Sequence, residues 1–314
     1  MSSPLVSVLM ITYNQEEFIR TAIDSVLMQK TNFQFELVIG EDFSTDSTRD
    51  ICKEYAVNYP NIVKLLLNEK NIGMVLNFIR TLLSCKGDYI AICEGDDYWI
   101  DQFKLQKQVN FLIDNSDYGM VQTNKKVLVN GILFEDKTIE KKDGVFLFED
   151  ILISNIISIM TVLIRANILK DTVVKVGHHA HERGWKMLDF PIWLDIAMNY
   201  KIGFINDVTG VYRVLNESAC HSSNLEKIYA FENSVIDIKE FYYEEYLKKN
   251  PNIRPALKNR LKENIFHCKK KLIFKYGIKA KNKWYELLTI NPFFYFYLFY
   301  KKGQRLVDKY FSHE

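Results

Sequence analysis

Short apolar runs alternate with helically spaced apolar positions through the first hundred residues, and this alternation limits the fold more than any other feature. "VSVLMIT" is an apolar run. Behind it, Phe18, Ile19, Ala22, Ile23, Val26 and Leu27 recur at helical spacing after a candidate cap at Asn14. "FELVIG" follows, then the polar turn "EDFSTDS" and a helix through Ile51 and Tyr55. "IVKLLL" and "YIAIC" supply two more strands, with a helix over 77–83 between them. Strands alternating with helices predict an α/β chain with a Rossmann-like, mostly parallel sheet covered on both faces.

Ligands of such sheets bind beyond the carboxyl ends of the strands. Three polar clusters are expected there: Thr12-Tyr13-Asn14, Glu41-Asp42 and Glu94-Gly95-Asp96-Asp97. The last lies in "CEGDDYW", where three carboxylates within four positions follow an apolar run. Like charges this close raise one another's pKa and oppose folding unless a cation or hydrogen-bond donors offset them. A divalent cation is one reading; a solvated turn capping the helix that carries Phe103, Leu105 and Val109 is the other. No G-x-G-x-x-G follows the first strand and no G-x-x-x-x-G-K-[ST] occurs, so a nucleotide would be held by carboxylates and a cation.

Composition excludes other classes. Lys plus Arg number 41 against 39 Asp plus Glu, and a net charge of +2 gives no general attraction for nucleic acid. Five scattered cysteines without a C-x-x-C pair suit free thiols in a reducing cytoplasm. The start "MSSPLVSVLMITYNQ" has no basic leader and does not read as a signal peptide.

"VSVLMITYNQEEFIRTAIDSVLMQ", "FELVIGEDFSTDST", "EGDDYWIDQFKLQKQ", "MLDFPIWLDIA" and "VYRV", in this order, resemble the inverting glycosyltransferases of family 2, which have the A-type nucleotide-diphospho-sugar transferase fold. The resemblance implies a catalytic domain over 1–222, with Thr12, Tyr13, Asn14, Asp42, Glu94, Asp96 and Arg213 on the nucleotide-sugar donor. It puts Asp96 and Asp97 on a magnesium or manganese ion, which His221 could join, and makes Asp189 the catalytic base. Asn155 and Ser158, in the segment between donor and acceptor pockets, become acceptor contacts. From spacing alone, Asp189 reads as the cap of a helix with Pro191 in its first turn. The chain departs from the family pattern at Glu41, at Phe43 and at Glu94, which replaces the first Asp of D-x-D. Hard oxygen ligands favour magnesium or manganese, and zinc or copper is disfavoured for lack of His or Cys clusters.

The motifs stop at His221, and a helical C-terminal region over 223–314 is expected. It includes "NPFFYFYLFYKK", too short to span a bilayer, which takes about 20 residues, and suited either to a membrane surface or to internal packing. Residues 125–143 mix strand pattern with charge and read as a mobile loop near the acceptor. The expected protein is a cytoplasmic enzyme, with peripheral contact at the inner face of the membrane if its acceptor is a lipid-linked glycan of cell-surface polysaccharide synthesis. A sugar-nucleotide pyrophosphorylase and a catalytically silent glycan-binding or scaffold subunit are the alternatives.

Overall fold

The computed structural model describes residues 4–136, 144–215 and 224–276. The chain divides into two compact units, Met1–Ile265 and Phe266–Glu314. The first begins as the sequence predicts: β1 (Val6–Thr12), α1 (Ile19–Leu27), β2 (Phe35–Glu41), α2 (Thr48–Asn58), β3 (Val63–Leu67), α3 (Met74–Ser84) and β4 (Tyr89–Ile92). Next come β5 (Tyr98–Trp99), α4 (Lys104–Asp114), β6 (Tyr118–Val129), β7 (Ile132–Glu135), β8 (Val145–Phe146) and α5 (Phe148–Ile153). A 3-10 turn (Ile159–Thr161) leads into β9 (Val162–Arg165), α6 (Ala166–Arg183), α7 (Asp189–Asn199), β10 (Lys201–Val214), α8 (Leu225–Lys249) and α9 (Pro255–Tyr276).

The described strands form one sheet in the order β3-β2-β1-β4-β9-β6-β10-β5, with β7 on β6 and β8 on β10. Its long ladders, β1 with β2 and β6 with β10, are parallel. The antiparallel pairs are short: β9 joins β4 and β6, and β5, β7 and β8 are edge pieces.

The apolar runs are explained by burial on both faces. Val6, Val8 and Met10 pack with Ile19, Ala22, Ile23 and Val26 of α1 on one side, while Leu9 joins Val38, Ile90, Phe78 and Leu82 on the other. A strand buried on both faces needs no polar alternation. Leu194 and Ile196 of α7 and Ile238 and Tyr242 of α8 enlarge the second side. Buried Lys239 of α8 donates to Ile153 O at 2.8 Å and to Asn264 Oδ1 at 2.9 Å, so the first unit continues through these helices to Ile265.

Residues 125–135, expected in a loop, lie in the hairpin of β6 and β7, whose Ile132, Leu133 and Phe134 are exposed. Lys125 pairs there with Asp136. No helix among the described residues is long and apolar enough to cross a membrane. The aromatic segment over 287–300 and His221 lie outside the described residues.

Candidate active site

The parallel register places the three polar clusters side by side. Thr12 is level with Glu41, Leu9 is level with Ile92, and Gly95 N–H reaches Ile11 O at 3.2 Å. Gly95 packs so closely that a Cβ there would lie 2.4 Å from Gln15 Oε1 and 2.9 Å from Thr12 Oγ1. Thr12 Oγ1 donates to Gln15 Oε1 at 2.8 Å, so buried Thr12 backs the acidic loop at its glycine.

Carboxylate oxygens of Glu94, Asp96 and Asp97 lie within 4.8 Å of one another. Asp97 is buried: its Oδ1 accepts the Arg213 backbone N–H at 2.8 Å, and its Oδ2 has no hydrogen-bond partner. Burial, then the charges of Asp96, Asp97 and Asp189, hold the Glu94 pKa well above the carboxylate range. Burial followed by Asp96 does the same to Asp97, and burial raises Asp96 against the opposing charge of Arg213. The cluster does not cap α4. β5 intervenes, and Asp101 Oδ1 instead accepts the Phe103 N–H at 2.8 Å just before that helix.

The Asp189 charge also acts on Glu94, less than burial and the charges of Asp96 and Asp97. Asp189 is the first residue of α7, and Leu188 occupies the cap position. Burial raises the Asp189 pKa, opposed by the Phe190 N–H and by a hydrogen bond from the Asn155 side chain. Asn155 and Asp189, far apart in sequence, therefore meet. Ser158 enters the 3-10 turn, and its carbonyl accepts from Thr161 N at 2.9 Å and Thr161 Oγ1 at 2.6 Å.

Arg213, near the end of β10, has its guanidinium carbon 4.4 Å from the centroid of the Tyr98 ring and 5.2 Å from that of Phe18. Its Nη1 donates to Asp96 O at 2.6 Å. Cation–π contacts and a carbonyl thus fix the guanidinium beside the acidic loop. No sequence pattern pointed to Phe18 and Tyr98 as partners of Arg213, which lies 115 residues after Tyr98.

On the other flank, Asp42 is engaged by a loop. Its Oδ1 accepts from Asn68 Nδ2 at 2.8 Å and Ile72 N at 2.9 Å, and its Oδ2 from Gly73 N at 2.9 Å. Gly73 has φ of 86°, where a side chain would be strained. Glu41, fully buried, accepts from Ser44 N at 2.6 Å and Arg49 Nε at 2.5 Å. Arg49 also lies 5.0 Å from the centroid of the Phe43 ring, which is 43% exposed. Asn14, with φ of 52°, accepts from Thr45 N at 2.9 Å and is not the cap of α1; Tyr13 is 44% exposed.

Residues 7–156 match the family described as "Glycosyl transferase family 2". An uncharacterized protein of Mycobacterium tuberculosis is 48% identical over 106 residues, 34% of this chain and 31% of that protein, so the match spans about a third of that relative's length. A putative teichuronic acid biosynthesis glycosyltransferase, TuaG of Bacillus subtilis, is 28% identical over 68% of this chain and 81% of its own. Among solved structures, S. aureus TarS 1–349 in complex with UDP-GlcNAc superposes with a TM-score of 0.66 at 19% identity, covering 90% of this chain and 79% of that one. The chain thus shares the A-type fold of TarS, and its residues 7–156 match the glycosyl transferases of family 2.

Proposed function

We propose that the protein is an inverting, metal-dependent glycosyltransferase that moves a sugar from a nucleoside diphosphate donor to a glycan or lipid-linked acceptor. The observation that carries this reading is the clustering of the Glu94, Asp96 and Asp97 carboxylates, with Asp189 near enough for its charge to act on Glu94 and hydrogen-bonded by Asn155. TuaG, whose name places it in teichuronic acid biosynthesis, supports a role in cell-surface polysaccharide assembly. TarS, in complex with UDP-GlcNAc, supports a nucleotide-sugar donor.

The acidic loop fits a magnesium- or manganese-class ion: its ligand set is all oxygen, and Asp97 Oδ2 is buried with no partner. Glu94, Asp96 and Asp97 would hold that ion, which supplies Lewis-acid neutralisation of the departing diphosphate. Arg213, fixed by Phe18, Tyr98 and Asp96 O, adds positive charge beside the same group. Thr12 and Asp42 border the nucleoside end, with Tyr13, Asn14 and Phe43 at the rim.

Asp189 takes the proton of the acceptor hydroxyl while the hydroxyl oxygen bonds to the anomeric carbon. The bond from that carbon to the phosphate oxygen breaks, and its electron pair leaves with the nucleoside diphosphate. One displacement inverts the anomeric centre. Burial raises the Asp189 pKa and makes it the stronger base, while the hydrogen bond from Asn155 fixes the carboxylate; Asn155 and Ser158 are the acceptor contacts of this reading. The test is Asp189→Ala: transfer to acceptor falls about a hundredfold or more while donor binding stays within twofold. Equal transfer rates remove Asp189 from the mechanism, and no transfer by wild type favours a silent scaffold.

The cytoplasmic site and peripheral membrane contact of the C-terminal region belong to the same proposal. The membrane contact is read by whether a chain lacking 291–314 leaves the membrane fraction.

A further inference from the structure

The carboxylate loop is not the only group of metal-ligating side chains. Contrary to the expectation from sequence that no His cluster occurs, ligand atoms of His178, His179 and Glu182 lie within 4.8 Å of one another on the last turns of α6. We propose that these three residues form a second metal site, for a zinc-class dication.

His178 and Glu182 stand four residues apart and His179 and Glu182 three apart, spacings that put side chains on one helix face. Both imidazoles present Nδ1 to the same oxygen, Glu182 Oε2, at 3.3 Å and 3.9 Å. Tetrahedral zinc with bonds of about 2.0–2.1 Å separates its ligand atoms by roughly 3.3 Å. The His178–Glu182 edge already has that length, and the His179 edge needs a small side-chain rotation. Two imidazoles and a carboxylate form a donor set of catalytic and surface zinc sites, and a fourth position stays open to solvent.

The surroundings favour an ion here. His178 is 71% exposed, so a hydrated ion reaches it directly. His179 is held on its inner side, with its ring centroid 4.7 Å from that of Phe241 and 6.4 Å from that of Trp185. α6 ends at Gly184 in the left-handed conformation, and a cation near a helix carboxyl end meets the negative pole of its dipole. The turn is also tied to α8, through Trp185 Nε1 on Asp237 Oδ2 at 2.7 Å and Arg183 on the same carboxylate at 3.2 Å. An ion there clamps the helix end from which the chain runs on to Asp189.

The donor sets separate the two sites chemically. Manganese stands at the weak end of the affinity order for nitrogen ligands and zinc near its strong end. Excess manganese therefore fills the carboxylate loop and leaves the imidazoles for zinc. The experiment is a calorimetric zinc titration of the untagged full chain in saturating manganese, on wild type and on His178→Ala, His179→Ala, Glu182→Gln and His181→Ala. Expected is one zinc equivalent on wild type, weakened at least about tenfold in the first three variants and unchanged in His181→Ala. Circular dichroism of each variant confirms that the fold is kept. No zinc binding in manganese, equal binding in the first three variants, or a loss in His181→Ala as large as in His178→Ala overturns the assignment.

Discussion

The backbone N–H of Arg213 donates to Asp97 Oδ1 at 2.8 Å, while Asp97 Oδ2, equally buried, has no hydrogen-bond partner. One oxygen ties β10 to the acidic loop. The other has no donor, in a loop where ligand oxygens of Glu94, Asp96 and Asp97 lie within 4.8 Å of one another and only the more distant charges of Arg213 and Lys125 oppose theirs. A buried acceptor left this way costs stability, which is the physical sign of a site built for something else.

Asp97→Asn separates the two roles. The amide oxygen can keep the Arg213 bond while the like charge disappears. The metal-free variant is expected to melt at or above the wild-type temperature, and added manganese is expected to stabilise it less than wild type. Thermal melts with and without manganese check both outcomes.

Asp42 is predicted to be structural as much as ligand-contacting. Three donors, Asn68 Nδ2, Ile72 N and Gly73 N, converge on its two oxygens. Asp42→Asn turns one oxygen into an amide donor facing one of them. The expected destabilisation is about 2 kcal/mol in urea unfolding, the cost of a buried unsatisfied group. A value near zero would mean that the 68–73 loop is held by other contacts.

Lys104 supplies a pH test. It is buried, its Nζ donates to Gln108 Oε1 at 2.5 Å, and it lies 4.5 Å from the centroid of the Trp99 ring. Burial lowers its pKa from 10.5 to about 7. Below pH 7 folded and unfolded chains both carry the charge, and the burial cost is fully present. Between pH 7 and 10.5 the unfolded chain keeps a proton that the folded chain has released, so stability rises with pH. Measured by denaturation, wild type is expected to gain on Lys104→Met by up to about 1.4 kcal/mol per pH unit in that window. Parallel stability curves would contradict this.

The sequence made the sheet readable because a strand buried on both faces, such as β1, is apolar at nearly every position. β5, β8 and β9 were not readable: two to four residues with antiparallel partners elsewhere in the chain give no period of their own. The acidic triplet was visible as local charge, and the family resemblance singled out Asn155 and Asp189 separately, but their hydrogen bond was not readable because it joins a loop to the start of α7. The loop that occupies Asp42 starts 26 residues after it, which no spacing rule reports. His178 and Glu182 could have been found, since they stand at helical spacing inside "GHHAHER".

The most direct measurement is calorimetric binding of a nucleoside diphosphate, UDP or GDP, to wild type and Asp96→Asn, each with and without manganese. Manganese is expected to tighten binding to wild type at least about tenfold and to do much less for Asp96→Asn, while the metal-free affinities of the two agree. Binding that ignores manganese in both proteins would contradict the reading that these strand-end carboxylates grip a cation on the departing diphosphate.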